Sequence, residues 1–208
     1  MNSIQVEELL LQSLEAELGG VGIYETAIAC ALHPQLLAEW KTYLEETRRH
    51  VTKVQSLCIQ LNIDPERETP GRAVVRHIGA SLVTAMEMAQ QSGDPDAAQL
   101  VACECIVLAE TKDHTDWELI GQCGKSGTGK SEAALLEAYE EIEDEEDSHL
   151  YHSKGWGREL WMEALGLDAV LPPPEEQLDV KTAIGAAKAQ ASVRAARRTG
   201  GTEPRSAQ

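Results

Sequence analysis

Two stretches govern the fold: Glu17-Leu18-Gly19-Gly20-Val21-Gly22-Ile23-Tyr24 and Glu110-Thr111-Lys112-Asp113-His114-Thr115-Asp116-Trp117. In each, a carboxylate precedes an aromatic ring by close to two helical turns, so both side chains fall on one helix face. Apolar or small residues continue those faces: Leu10, Leu14, Val21 and Ile28 around the first, Cys103, Val107 and Gly121 around the second. A carboxylate set in such a stripe costs several kcal/mol unless something pairs with it.

Outward from each stretch, a second helical pattern carries Glu and His one turn apart: Glu46 with His50, then Glu146 with His149. Residues 3–31 read as one helix with Ser3 as N-cap, and His33-Pro34 turns the chain into a second helix reaching residue 62. A Pro-containing loop leads to a third helix over 72–91. Gly93-Asp94-Pro95 separates it from a fourth over 96–122, and a Gly/Ser-rich loop precedes a fifth over 131–165. Gly155 and Gly157 are expected to kink or break the fifth. Gly19, Gly20 and Gly22 lower helix propensity, but let a neighbouring helix approach closely. Residues 1–170 thus form a helical bundle. From 171 a Pro-led, Ala/Arg-rich extension follows, where six Lys or Arg against four Asp or Glu give +2. It reads as weakly structured, with a short helix over 183–196.

Turn counting tests whether the acids meet. Glu17 lies about 16 residues before the His33-Pro34 turn and His50 about 16 after it, so the two are level at about 1.5 Å per residue. Glu25 falls off the stripe, which favours Glu17. Glu110 lies about 14 residues before Gly124, and Glu146 and His149 about 15 and 18 beyond Ser131, so the second half matches the first. Helix one with helix two echoes helix four with helix five, leaving helix three as the crossover.

These residues resemble the pattern of the ferritin-like di-iron carboxylate superfamily, which includes ferritins, bacterioferritins and rubrerythrins. Glu17-x6-Tyr24 and Glu146-x-x-His149 carry the resemblance, and Glu110-x6-Trp117 with Glu46/His50 match it more loosely. The resemblance implies an all-α, ferritin-like four-helix bundle with an extra crossover helix between two helical hairpins. It implies two Fe ions, with Mn or Zn as alternatives, since carboxylate and imidazole suit these metals and four carboxylates balance two divalent cations. Glu17 and Glu110 would be terminal ligands, Glu46 and Glu146 bridging ones, His50 and His149 nitrogen ligands. Tyr24 and Trp117 would stand behind them as hydrogen-bonding or electron-relay groups. Glu145 competes with Glu146, and His114 is either an extra ligand, a supporting partner or a surface residue. The family pattern places a Glu three residues before the first His, where this chain has Thr47; Glu46 stands about 40° round the helix.

The function so implied is a non-haem di-iron or Fe/Mn oxidoreductase acting on Fe(II) with oxygen or peroxide, as a homo-oligomer. No Cys-x-x-Cys pair is present, so electrons would come from an external donor. The alternatives are a non-catalytic helical binding or stress protein on the same fold, and a nucleotide binder. The last rests on Gly124-Lys125-Ser126-Gly127-Thr128-Gly129-Lys130-Ser131, which fits the phosphate-loop pattern. That loop needs a buried strand before it, and the residues before Gly124 read as helix.

Composition agrees with a helical protein that binds cations. A net charge of −17 argues against a nucleic-acid partner, and Phe is absent, so the core must be aliphatic. The five cysteines are scattered and read as small buried hydrophobes. No apolar run approaches the roughly 20 residues of a membrane span, and no signal-peptide pattern opens the chain, so a cytoplasmic location is expected.

Overall fold

A computed structural model describes residues 1–169 and 174. Among the described residues five helices account for the fold: α1 (Ser3–Cys30), α2 (Pro34–Gln60), α3 (Pro70–Gln91), α4 (Pro95–Lys125) and α5 (Lys130–Ala164). Strands are absent among the described residues. Prolines fix three of the starts. Pro34, Pro70 and Pro95 each open a helix, and the side chains of His33, Thr69 and Asp94 cap them by accepting from Gln35, Arg72 and Ala97 N–H groups. The α3 start therefore lies two residues before the expected one. At α1 the cap position is Asn2 rather than Ser3. The α5 helix runs through Gly155 and Gly157 to Ala164 without the expected break.

Helix directions follow from which residues meet. Gly20 faces Thr47 and Glu17 faces His50, so α1 and α2 run antiparallel. Gly124 faces Leu136, Gly121 faces Tyr139 and His114 faces Asp147, so α4 and α5 do likewise. Between these two hairpins α3 lies parallel to α1: Glu8 meets Thr69, Glu15 meets Arg72 and Arg76, Gly19 meets Gly79, and Gly22 meets Val83. The Gly19–Gly79 contact is the close approach expected of the glycine-rich segment; a Cβ built on Gly79 would stand 3.5 Å from the Gly19 Cα. Glu15 is buried between Arg72 and Arg76, whose guanidinium groups outweigh burial and hold its carboxyl below the usual range.

Met1–Ala169 form one compact unit. Its apolar interior is divided in two. One cluster contains Ile23, Tyr24, Trp40, Tyr43, Met86, Ala102 and Ile106. The other contains Leu10, Leu14, Val54, Leu57, Trp117, Ile120, Leu135 and Ile142. On α1, α2 and α4 the chain passes from one cluster to the other, and buried polar side chains stand in between, among them Glu17, Thr47, His50, Glu110 and Asp113. That layer holds the candidate site. Four of the five cysteines are buried, and all are unpaired. Among the described residues no helix is long and apolar enough to cross a membrane. The expected extension over 171–208, with its helix over 183–196, lies outside the described residues apart from Pro174.

Candidate metal centre

Each long helix delivers polar groups at the level where the two apolar clusters part. Glu17 comes from α1, His50 from α2, Glu110 and Asp113 from α4, Glu146 and His149 from α5. Glu17 is wholly buried, and the other five are between 1% and 7% exposed. Turn counting predicts this meeting for five of the six; Asp113 was not among the expected residues.

The two imidazoles point inward through Nδ1. His50 Nδ1 lies 2.9 Å from Glu146 Oε1 and 3.5 Å from Glu17 Oε1. His149 Nδ1 lies 3.7 Å from both Glu110 Oε2 and Glu146 Oε1. The rings stack with centroids 5.7 Å apart, leaving Glu146 central to both. Two triads place one donor atom from each member within 4.8 Å of the others: His50 with Glu146 and His149, and Glu17 with Asp113 and Glu146.

The outer nitrogens are held by the acids four residues before each histidine, and the pairing crosses between helices. His50 Nε2 is 2.8 Å from Glu145 Oε2, and His149 Nε2 is 2.9 Å from Glu46 Oε2. Glu145 and Glu46 thus play one role in two copies. Glu146, not Glu145, faces the centre. Glu46 occupies the outer face of His149 rather than the bridging place expected of it, because the position aligned with the centre on α2 is Thr47. The Thr47 hydroxyl donates to the Tyr43 carbonyl at 2.9 Å.

Trp117 donates its indole N–H to Glu17 Oε1 at 2.8 Å. Tyr24 is fully buried and packs edge-on to His149, its hydroxyl without a hydrogen-bond partner. Burial, followed by the Glu110 charge, pushes that hydroxyl well above the ordinary tyrosine range. His114 turns away from the layer and pairs with Asp147 at 2.8 Å. Glu25 is exposed and pairs with Arg48, so the choice of Glu17 over Glu25 matches the geometry.

The buried groups of the layer shift one another's protonation strongly. Burial, with Glu146 nearby, pushes the Glu17 carboxyl up to about 7. Burial and the charges of Glu17, Glu146 and Glu110 push Asp113 well above the carboxylate range. Burial disfavours charge on the histidines, yet Glu146 and Glu17 hold the His50 proton up to about 11, and Glu110 and Glu46 hold that of His149 up to about 10. Four carboxyl groups thus crowd two imidazoles, and in the metal-free chain burial inclines Glu17 and Asp113 to keep their protons. The nearby cationic side chains are engaged elsewhere: Arg49 with Glu145 and Glu46, Lys112 with Asp116. Glu17 Oε2, Glu110 Oε2, Asp113 Oδ1 and Glu146 Oε2 are buried without a hydrogen bond, and Glu146 Oε1 has the His50 imidazole 2.9 Å away. Buried acceptors are ordinarily satisfied. This donor set, carboxylate with imidazole, fits Fe, Mn or Zn, and four carboxylates neutralise two divalent cations.

Compared with known proteins, the chain matches no family model, no curated protein and no solved structure.

The first glycine of the phosphate-loop pattern has another role. Gly124 belongs to α4, where a Cβ would stand 2.5 Å from the Leu136 backbone nitrogen of α5. No strand precedes it. The glycine serves close packing of α4 on α5.

Proposed function

We propose that this protein binds two transition-metal ions in the polar layer of a ferritin-like bundle and acts as a non-haem di-iron or Fe/Mn oxidoreductase on Fe(II) with oxygen or peroxide. The observation that carries the reading is the set of four buried carboxylate oxygens without a hydrogen bond, one each on Glu17, Glu110, Asp113 and Glu146, gathered in one polar layer. The order of the helices supports it: two antiparallel hairpins, with α3 returning the chain between them, is the connectivity of a ferritin-like fold.

Glu17, Glu110, Asp113, Glu146, His50 and His149 would hold the ions. When bound, iron in such a set supplies one-electron chemistry toward oxygen or peroxide. The chain's own residues prepare that site in three ways. Glu145 and Glu46 fix the ring orientation of His50 and His149 and, by accepting at Nε2, leave Nδ1 as the nitrogen that would give up its proton to a cation. Trp117 holds Glu17 by one oxygen and leaves the other for a cation. The two apolar clusters exclude bulk water above and below, which strengthens every charge interaction in the layer.

The test is elemental analysis of protein loaded anaerobically with Fe(II), followed by exposure to oxygen with absorbance monitoring. About two ions per chain, lost in a Glu17→Ala, His149→Ala double variant that still melts cooperatively, is the expected result. Protein that takes up no metal, and whose melting temperature does not move on adding Fe(II), would overturn the reading.

A further inference from the structure

The two halves of the polar layer are not copies of one another. Three residues after Glu17 on α1 stands Gly20, and three before His50 on α2 stands Thr47. The equivalent positions on α4 and α5 are Asp113 and Glu146. A Cβ on Gly20 would lie 3.1 Å from the Thr47 Cγ2, so the α1–α2 pair closes on itself and offers no ligand there. The α4–α5 pair offers two carboxylates instead, Asp113 7% and Glu146 1% exposed, each with an oxygen lacking any hydrogen bond.

We infer that the centre comprises two chemically unequal cation positions sharing Glu146: an oxygen-only position among Glu17, Asp113 and Glu146, and an imidazole-rich position among His50, Glu146 and His149. The inference rests on the proposed metal binding and adds which cation goes where. Carboxylate-only donors suit hard ions such as Mn2+, whereas imidazoles suit Zn2+ and Co2+. Asp113 supplies the charge that Thr47 does not. On α4 it stands with Glu146 within 4.8 Å of Glu17, while His50, 3.5 Å from Glu17, meets His149 at the shared Glu146. The two ions therefore bind in separate steps with different preferences, and a mixed pair fills the centre better than two ions of one kind.

The test uses the full chain, stripped of metal and titrated with Mn(II) followed by electron paramagnetic resonance and with Co(II) followed by visible absorption. In the unsubstituted protein one Mn(II) and one Co(II) are expected to bind together, the cobalt spectrum carrying the imidazole ligand field. Co(II) that displaces Mn(II) one for one overturns the inference without any variant. Asp113→Asn keeps the side-chain volume and is expected to weaken Mn(II) at least about tenfold while leaving Co(II) affinity and spectrum in place. His149→Asn is expected to do the reverse. Variants that weaken both metals in equal proportion overturn the inequality of the positions and leave metal binding itself standing. Unsubstituted protein that binds neither ion overturns the proposed function, and this inference with it.

Discussion

Glu145 on α5 grips the outer nitrogen of His50 on α2 at 2.8 Å, while its neighbour Glu146 lies 2.9 Å from the inner one. Consecutive acids on one helix thus hold opposite edges of one ring on another, and Glu46 repeats the outer contact on His149. A histidine fixed at Nε2 by a carboxylate is oriented and made more basic at Nδ1.

Glu145→Gln is therefore expected to lower metal affinity by about 10- to 100-fold while the fold is kept. Glu145 is part-exposed, with a side chain 30% accessible, so little stability rests on it. Calorimetric titration of the variant beside the unsubstituted protein reads this directly. Affinity unchanged within twofold would mean that the outer contact does not position the ring.

Trp117→Phe removes the N–H that satisfies Glu17 Oε1 and keeps most of the apolar packing. The buried carboxylate then has an unsatisfied oxygen, at a cost of about 1–3 kcal/mol. Metal on the other oxygen relieves part of that cost. Urea unfolding is expected to show a larger loss in metal-free protein than in loaded protein. Equal losses in the two forms would reduce Trp117 to a space-filling role.

Gly124→Ala places a methyl 2.5 Å from the Leu136 backbone nitrogen, where no flexible side chain can yield. Overpacking of this kind costs about 1–3 kcal/mol. Lys130→Ala, at the start of α5, changes neither stability nor metal uptake, and neither variant alters ATP binding, because none is expected. Thermal melts and an equilibrium nucleotide assay separate the readings: ATP binding abolished by Lys130→Ala would restore the phosphate loop.

How much of this the sequence discloses depends on periodicity. Glu17, Glu110, His50, Glu146 and His149 stand out because each interrupts an apolar stripe, and turn counting brings them level. Asp113 escaped because α4 carries Asp113, His114, Asp116 and Trp117 in quick succession, and with acids at neighbouring positions the pattern cannot say which one faces inward. The gap at Thr47 was the available signal: a centre short of one carboxylate on α2 needs it from elsewhere, and Asp113 lies one turn from Glu110. One turn separates Glu46 from His50, so spacing alone points it inward. The structure instead sends it across to His149, a contact between α2 and α5 that no local spacing encodes. Two helices start one or two residues before the expected positions, because Pro70 and Pro95 read as loop although proline is favoured at the first helical position. The repeat of hairpins was legible, and so was α3 as the link between them.

The proton inventory of the layer gives the last prediction its sign. In the folded, metal-free chain Glu17 keeps its proton up to about 7, against an ordinary 4.5. His50 and His149 keep theirs up to about 11 and about 10, against 6.5. All three hold more protons folded than unfolded, so each contributes stability at low pH that is lost as pH rises, Glu17 between about 4.5 and 7 and the histidines between about 6.5 and 11. Metal ions need those same groups deprotonated, so binding releases protons and tightens with pH. The melting temperature of stripped protein is expected to fall from about pH 6 to about pH 9, while that of protein with saturating Mn(II) falls less, so the gap between the two widens. A gap that narrows over this range would show that the ions do not displace protons from the layer, and would locate them elsewhere on the acidic surface.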